Sequence, residues 1–503
     1  MTKRSRVGFA LAVLFAINMM NFYDRNIAGA VAEPMRHEWG LSDTDIGLLG
    51  TAFTLLYAAV GLPLGWLADR VTRTRILAVG VFVWSLFTGI SGLITVPIAL
   101  FGLTIIPYYQ MFVARLGVGI GEATCAPAAS SLIGDLFPSS KRARAMSIFM
   151  LGLPIGIAAS NAISGWIIQR FNWRSTFFVA AIPGLICAAA AVTIKEPARG
   201  ASEAHEIGGR KRKGPWKRLE KLIDRLAERP HRSRLIRVAQ RFLRLVLMVV
   251  STLLLVLSIP TIWWLILSGA LHNFNMYALG QFLIPFLIRF HGMHIKDAGL
   301  ASMAVYGLSG APGLLIGGLV GDAITRRRAN GRLLVGAIAI SISVPLLFLA
   351  LGRPAGDVVG FMLLMGSGIG VMYVYYATVY SAIQDVIEPS LRGTAMALYF
   401  FAMYVCGASL GPVATGFASD LYTKQAALAA GVTDLSRQAL EPFRAAGLHS
   451  AMYIIPILGT LLALALLAGS KTVTKDMNRL QEWMREAAAE AAPAPAKPAE
   501  VGD

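Results

Sequence analysis

Four ionisable side chains stand within segments otherwise apolar enough to lie in a membrane: Asp24 and Arg25 in one, Arg115 and Glu122 in another. Charge in a bilayer core is costly, so such residues are functional candidates by default. A carboxyl group away from water favours its protonated form, and a neighbouring arginine favours the ionised one. Glu122 can thus take up a proton in one conformation and lose it when water or Arg115 approaches, the chemistry of a proton-coupling site. Depth supports a pairing. At a rise of about 1.5 Å per residue, Asp24 lies ~24 Å from the start of its segment near Gly8, at an outer level comparable with Arg115. An Asp24–Arg115 ion pair near the outer mouth follows, with Glu122 two turns deeper on the same face as Arg115; Arg25 is the fourth candidate for coupling or gating, or else a residue of the membrane interface.

These residues need membrane spans to hold them. The 503-residue chain is 56% hydrophobic and 15% charged, more apolar and less charged than soluble domains. Apolar runs of about 20 residues, enough to cross a core of roughly 30 Å, recur along it. The pattern predicts twelve spans: 8–32, 45–68, 76–98, 108–134, 145–169, 175–194, 262–287, 299–321, 332–351, 357–383, 393–418 and 448–469. The fold class is all-α integral membrane. A soluble enzyme is excluded, and so is a nucleic-acid binder, despite a net charge of +18. Cys125, Cys187 and Cys406 are unclustered in apolar runs and indicate neither a disulfide framework nor a metal site.

Internal repetition organises the spans. Asp45-Ile-Gly47 returns as Asp297-Ala-Gly299, Gly65-x-x-x-Asp69 as Gly318-x-x-x-Asp322, Gly117-x-Gly-x-Gly121 as Gly366-x-Gly-x-Gly370, and Arg142-x-x-Ala-Met146 as Arg392-x-x-Ala-Met396. Four ordered matches at an offset near 250 divide the chain into two parallel six-helix bundles, 1–194 and 261–470. Such halves, with binding near the bilayer midplane, are a transporter architecture. Between them, 195–260 is a basic linker with 16 Lys+Arg and 6 Asp+Glu from Lys195 to Arg244, ending in an interfacial helix over 245–258. Residues 471–503 form a tail. The basic loops fall on one side, which places both termini in the cytoplasm and the chain in the inner membrane.

Other polar residues follow from this frame. Asn21, Asn273, Asn275 and Gln281, with Tyr373, Tyr376 and Tyr380 at i, i+3 and i+7, are candidates to line a substrate cavity, ionic on one half and hydrogen-bonding on the other. Asp69, Arg70 and Arg73, with their repeats Asp322 and Arg326, are candidates for a cytoplasmic gate. No phosphate loop, metal cluster or nucleophile set is found, so neither an enzyme nor a cofactor is expected. The expected partners are a small-molecule or lipid substrate, protons and membrane lipids, with the chain working as a monomer. A membrane sensor or scaffold using the basic linker is the rival class, but a scaffold has no reason to carry charges inside its spans.

The chain resembles the major facilitator superfamily in its loop Gly65-Trp-Leu-Ala-Asp69-Arg70-Val-Thr-Arg73-Thr-Arg75, with Thr72 where glycine is usual. Within that superfamily it is similar to the Spinster family in Asn21-Phe-Tyr-Asp24-Arg25, in Arg115-Leu-Gly-Val-Gly-Ile-Gly-Glu122-Ala, and in Ile133-Gly-Asp135-Leu-Phe-Pro138. The resemblance implies cavity-lining first, fourth, seventh and tenth helices and alternating access. It further implies lysolipid-like substrates and proton coupling through Asp24 and Glu122. Organic-anion symporters share the Asp-Arg and Gly-Glu-Ala elements, so hydrophilic acids such as sugar acids are an alternative substrate class.

Overall fold

The apolar runs become helices because the bilayer offers no partner for a bare N–H or C=O. A computed structural model describes residues 3–68, 71–100, 103–137, 145–146, 148–197, 253–388 and 391–489. The N-terminal half contains Lys3–Trp39, Asp43–Ala68, Arg73–Leu93, Pro107–Glu122 continued by Cys125–Leu136, Gly152–Arg170 and Ser175–Val192. The C-terminal half contains Pro260–Arg289, Ile295–Ser302 running on into Gly310–Thr325, Gly331–Leu351, Val358–Met372 continued by Val374–Val386, Arg392–Met403 running on into Leu410–Ala429, and Arg444–Met452 continued by Ile454–Ala489. Eleven of these twelve passes are long and apolar enough to cross a membrane by length and composition. The seventh, Pro260–Arg289, has 30 residues, but His272, Asn273, Asn275 and Gln281 dilute its apolar character.

The repeat is visible in the breaks. The fourth pass is interrupted after Glu122 and the tenth after Met372, 250 residues apart. The outer passes show large apolar side chains to lipid: Val79, Phe82 and Leu86 are exposed along one stripe of the third, as expected where the solvent is itself hydrocarbon. A two-stranded antiparallel hairpin, Ile98–Leu100 with Leu103–Ile105, joins the third and fourth passes and was not indicated by hydropathy. The final helix also continues through Ala489 where the sequence reading ends the span near 470. Its Asp476 accepts hydrogen bonds from the Thr261 amide and hydroxyl (3.0 and 2.5 Å) and so caps the seventh pass. The linker helix expected over 245–258 lies largely outside the described residues.

At the ends nearest the termini, charges tie helices within each half. Arg73 pairs with Asp135 and Glu196, and Arg332 pairs with Asp322 at 2.8 Å and with Asp385. Asp135 and Asp385 are 250 apart, so these are equivalent clusters. Sequence alignment assigns Arg326 to the second, yet Arg326 is exposed and Arg332 takes the place, because the turn after the eighth pass is longer. Glu196 lies just past the sixth pass. Burial pushes its carboxyl up, but bonds from the Thr74 N–H and Arg73 outweigh this and hold it below the usual range. Asp69 and Arg70 lie outside the described residues.

The two halves meet tightly at the opposite face. Gly299 of the eighth pass faces the Asn161 carbonyl of the fifth so closely that an added Cβ would sit 2.5 Å away, and Asn161 Nδ2 donates to Ser302 Oγ at 3.0 Å. Gly416 of the eleventh pass lies against the Asp43 backbone carbonyl in the same way.

Candidate functional site

Asp24 and Arg25 are neighbours on a helix that turns about 100° per residue, so they face different partners. Arg25 Nε donates to Glu122 Oε2 at 2.6 Å, with side chains 6% and 0% exposed. Its guanidinium lies over the Tyr57 ring at 4.3 Å and near Phe22 and Phe53 at 5.2 and 5.4 Å. From the other half, the hydroxyls of Tyr277 and Tyr404 lie 3.4 and 3.3 Å from Arg25 NH1. Tyr404 opens a π-helical stretch, Tyr404–Ala408, a local widening of the helix often found at functional sites. One buried cation is thus held by both halves.

Asp24 faces the third and fourth passes. Its Oδ2 accepts from Thr88 Oγ1 at 2.5 Å, while Oδ1 lies 3.9 Å from Arg115 NH1. That contact is loose: Asp24 Oδ1 and Arg115 Nε and NH1 have no hydrogen-bond partner among the described residues, and neither has Glu122 Oε1. Buried polar atoms are rarely left bare without reason. Arg115 and Gln281 border a cavity of about 10 Å³, on the scale of a single water. The structure therefore brings all four charges together and assigns Arg25, not Arg115, to Glu122.

The expected cavity residues divide. Tyr376 and Tyr380 are partly exposed, with ring centroids 5.6 Å apart, and contact His272, Tyr399 and Phe400 of the C-terminal half. Gln281 donates weakly to the Ala28 carbonyl of the first pass at 3.4 Å. Asn21 is buried with its amide nitrogen unpartnered among the described residues, and Asn273 bonds back to the Gly269 carbonyl of its own helix. Asn275 departs from expectation: its Nδ2 donates to the Ile455 carbonyl of the twelfth pass at 3.0 Å. Residues two apart on a helix cannot share a face, so Asn273 and Asn275 diverge. Tyr373 likewise packs on the eighth pass, its hydroxyl reaching the Tyr306 carbonyl at 3.4 Å, because the helix breaks there and interrupts the stripe. Asn275→Ala is expected to lower stability by about 1–3 kcal/mol and leave uptake unchanged, as a thermal melt beside a liposome uptake assay would show.

Several side chains around Arg25 were not singled out in the sequence. Tyr57, Tyr277 and Tyr404 carry no sequence mark beyond their type. His272, which the sequence offers beside Asn273, Asn275 and Gln281, is fully buried, stacked on Tyr375 at 4.0 Å, and both ring nitrogens lack partners among the described residues. A larger omission is the network at the face away from the termini. Arg289 donates to Glu33 Oε2 at 2.7 Å and to both Asp43 oxygens at 2.8 and 2.9 Å. Ser419 donates to Asp43 Oδ2 at 2.6 Å, Thr44 to Asp420, and Arg36 bridges Glu33 and Glu441. The same carboxylates approach His37, but Arg36 and Arg289 already satisfy them, which does not suit a metal. The network joins the halves about 12 Å beyond Arg25, eight residues along the first helix.

A family model described as Major Facilitator Superfamily matches residues 14–412. Among curated proteins, the chain is 25% identical over 419 residues to an MFS-type efflux pump of Mycolicibacterium smegmatis, covering 83% of this chain and 86% of that one. It is 24% identical over 424 residues to a probable L-galactonate transporter of Escherichia coli, with 82% and 83% covered. Among solved structures, a bacterial homolog of the human lysosomal transporter Spinster, inward-facing and unoccupied, superposes with a TM-score of 0.73 at 25% identity over 94% of this chain and 98% of that one.

Proposed function

The chain belongs to the major facilitator superfamily, is a multi-pass membrane transporter rather than an enzyme, and from that premise we propose that it moves an organic anion by proton-coupled alternating access. One observation carries this reading: Arg25 is bonded to Glu122 in its own half and approached by Tyr277 and Tyr404 of the other. An anion entering between the halves competes with Glu122 for Arg25. Displaced in a water-poor site, Glu122 accepts a proton, because an unpaired buried carboxylate is far more costly than a buried carboxylic acid. Proton and anion uptake are then linked, and neither alone empties the site of net charge. Asp24 and Arg115, loosely apposed, are the second pair to rearrange.

The outer network closes the path on one face, so the binding site opens towards the other. The loops bearing Arg326, Arg327 and Arg328 lie on that side, and positive loops stay cytoplasmic. The proposed setting is the inner membrane, with the chain inward-facing and acting as one copy. Tyr57, Tyr277, Tyr376, Tyr380 and Tyr404 favour an amphipathic, lysolipid-like anion, which their faces can hold by apolar contact while Arg25 takes the charge. A hydrophilic sugar acid is the second reading, favoured by the similarity to a probable L-galactonate transporter.

The test is substrate-dependent proton flux into liposomes, wild type beside Glu122→Gln. The variant is expected to bind substrate without proton movement above background. Equal flux in both would reject the assignment of Glu122.

A further inference from the structure

A recess of about 630 Å³ opens sideways from the C-terminal half between the eighth, ninth and tenth passes. Its volume is that of a small-molecule site. Glycines form part of its floor: Gly313 and Gly317 from the eighth pass, Gly366 and Gly370 from the tenth. Its walls are apolar, and Ile316, Ile338 and Ile342 are 55%, 51% and 50% exposed. Ser309 and Ser367 are the polar side chains among the lining residues. An apolar surface is ordinary on a membrane protein, and this one is an open, concave groove of that volume rather than an enclosed cavity.

The second observation is charge at one end. Along the eighth pass the recess runs from Ser309 to Ile324, about 22 Å, and two residues later come Arg326, Arg327 and Arg328. All three are exposed, and none has a side-chain partner among the described residues. Arg332 nearby is different, being held by Asp322 and Asp385. The mouth of the recess therefore carries three unneutralised guanidinium groups at the level of the headgroups, in the leaflet on the side of the termini. Guanidinium forks suit phosphate oxygens, and basic clusters beside cytoplasmic helix ends attract anionic lipid.

We propose that this recess is a binding site for an anionic phospholipid, its acyl chain lying against Gly313, Gly317 and Gly370 and its phosphate on Arg326–Arg328. The site is separate from the Arg25–Glu122 centre and does not depend on the transported substrate. A lipid seated there covers the seam where Gly313 and Gly317 of the eighth pass pack against Gly370 and Val374 of the tenth and supports the helix that carries Tyr376 and Tyr380.

The test is native mass spectrometry of the full chain in detergent, with phosphatidylglycerol or phosphatidylcholine of identical acyl chains. Wild type is expected to retain phosphatidylglycerol at least roughly tenfold better. R326A/R327A/R328A should fall to the phosphatidylcholine level, while R326K/R327K/R328K should keep the preference. I316W/I342W, which fills the recess, should lose both lipids alike. A photo-crosslinker at Ile338 should capture lipid. Equal retention of the two lipids by wild type, an undiminished preference in the alanine variant, or wild-type retention in the filled variant would overturn the proposal. So would crosslinking of Ile338 to residues 245–252 of the same chain.

Discussion

Arg25→Ala is expected to abolish coupled transport and to lower stability by about 3–5 kcal/mol, the usual effect of removing one partner of a buried ion pair. The loss comes from what stays behind. Glu122 is fully buried, one of its oxygens already lacks a partner among the described residues, and removing Arg25 leaves the other bare as well. The stacking of the guanidinium over Tyr57 disappears too, adding about 0.5–2 kcal/mol. The double variant Arg25→Ala/Glu122→Gln should regain most of the stability, because no orphan charge remains, yet stay inactive. A double-mutant cycle of thermal melts, with liposome uptake on all four proteins, separates the two effects. Wild-type stability in Arg25→Ala, or no recovery in the double variant, would show that the pair is not coupled as drawn.

Arg289→Ala is expected to open the outer face. This arginine is 7% exposed and neutralises two carboxylates, Glu33 on the first helix and Asp43 at the start of the second. Without it, Asp43 stays buried with no bonded cation among the described residues and Glu33 keeps Arg36 as its arginine, and the least costly relief is to separate the halves and admit water. A loss of about 3 kcal/mol in the closed state shifts a two-state equilibrium more than ~100-fold. Spin labels on cysteines at Asn172 and Lys424, exposed positions on the outer ends of the two halves, should report a longer distance in the variant than in wild type. Arg289→Lys, which keeps one charge but loses the fork across Asp43, should fall between them. An unchanged distance distribution in Arg289→Ala would mean that glycine packing at Gly299 and Gly416 holds this face shut by itself.

Which parts were legible in the sequence follows from the physics of each. The spans were readable because a bilayer demands long apolar runs, and the two halves because four short motifs recur in order. The intramembrane charges stood out for the same reason: hydropathy makes an aspartate in a membrane conspicuous. The depth argument even matched Asp24 with Arg115, now 3.9 Å apart. It failed for Glu122, whose partner is Arg25, because depth says nothing about rotation around a helix axis. Arg289 escaped notice, and Glu33 and Asp43 registered only as charges on the side opposite the basic loops, for another reason. Charges near helix ends look like ordinary interfacial residues until the opposite half is placed against them.

Sequence alone thus determined the membrane class, the twelve passes, the internal symmetry and the set of costly charges, all properties that local composition encodes. Only the tertiary structure decided who pairs with whom. Arg25 and Glu122 are 97 residues apart, Arg289 and Glu33 256, and Arg36 and Glu441 405. Such pairings depend on the register and rotation between helices that meet only when the two halves close, and a one-dimensional pattern of apolar and polar residues carries no record of either.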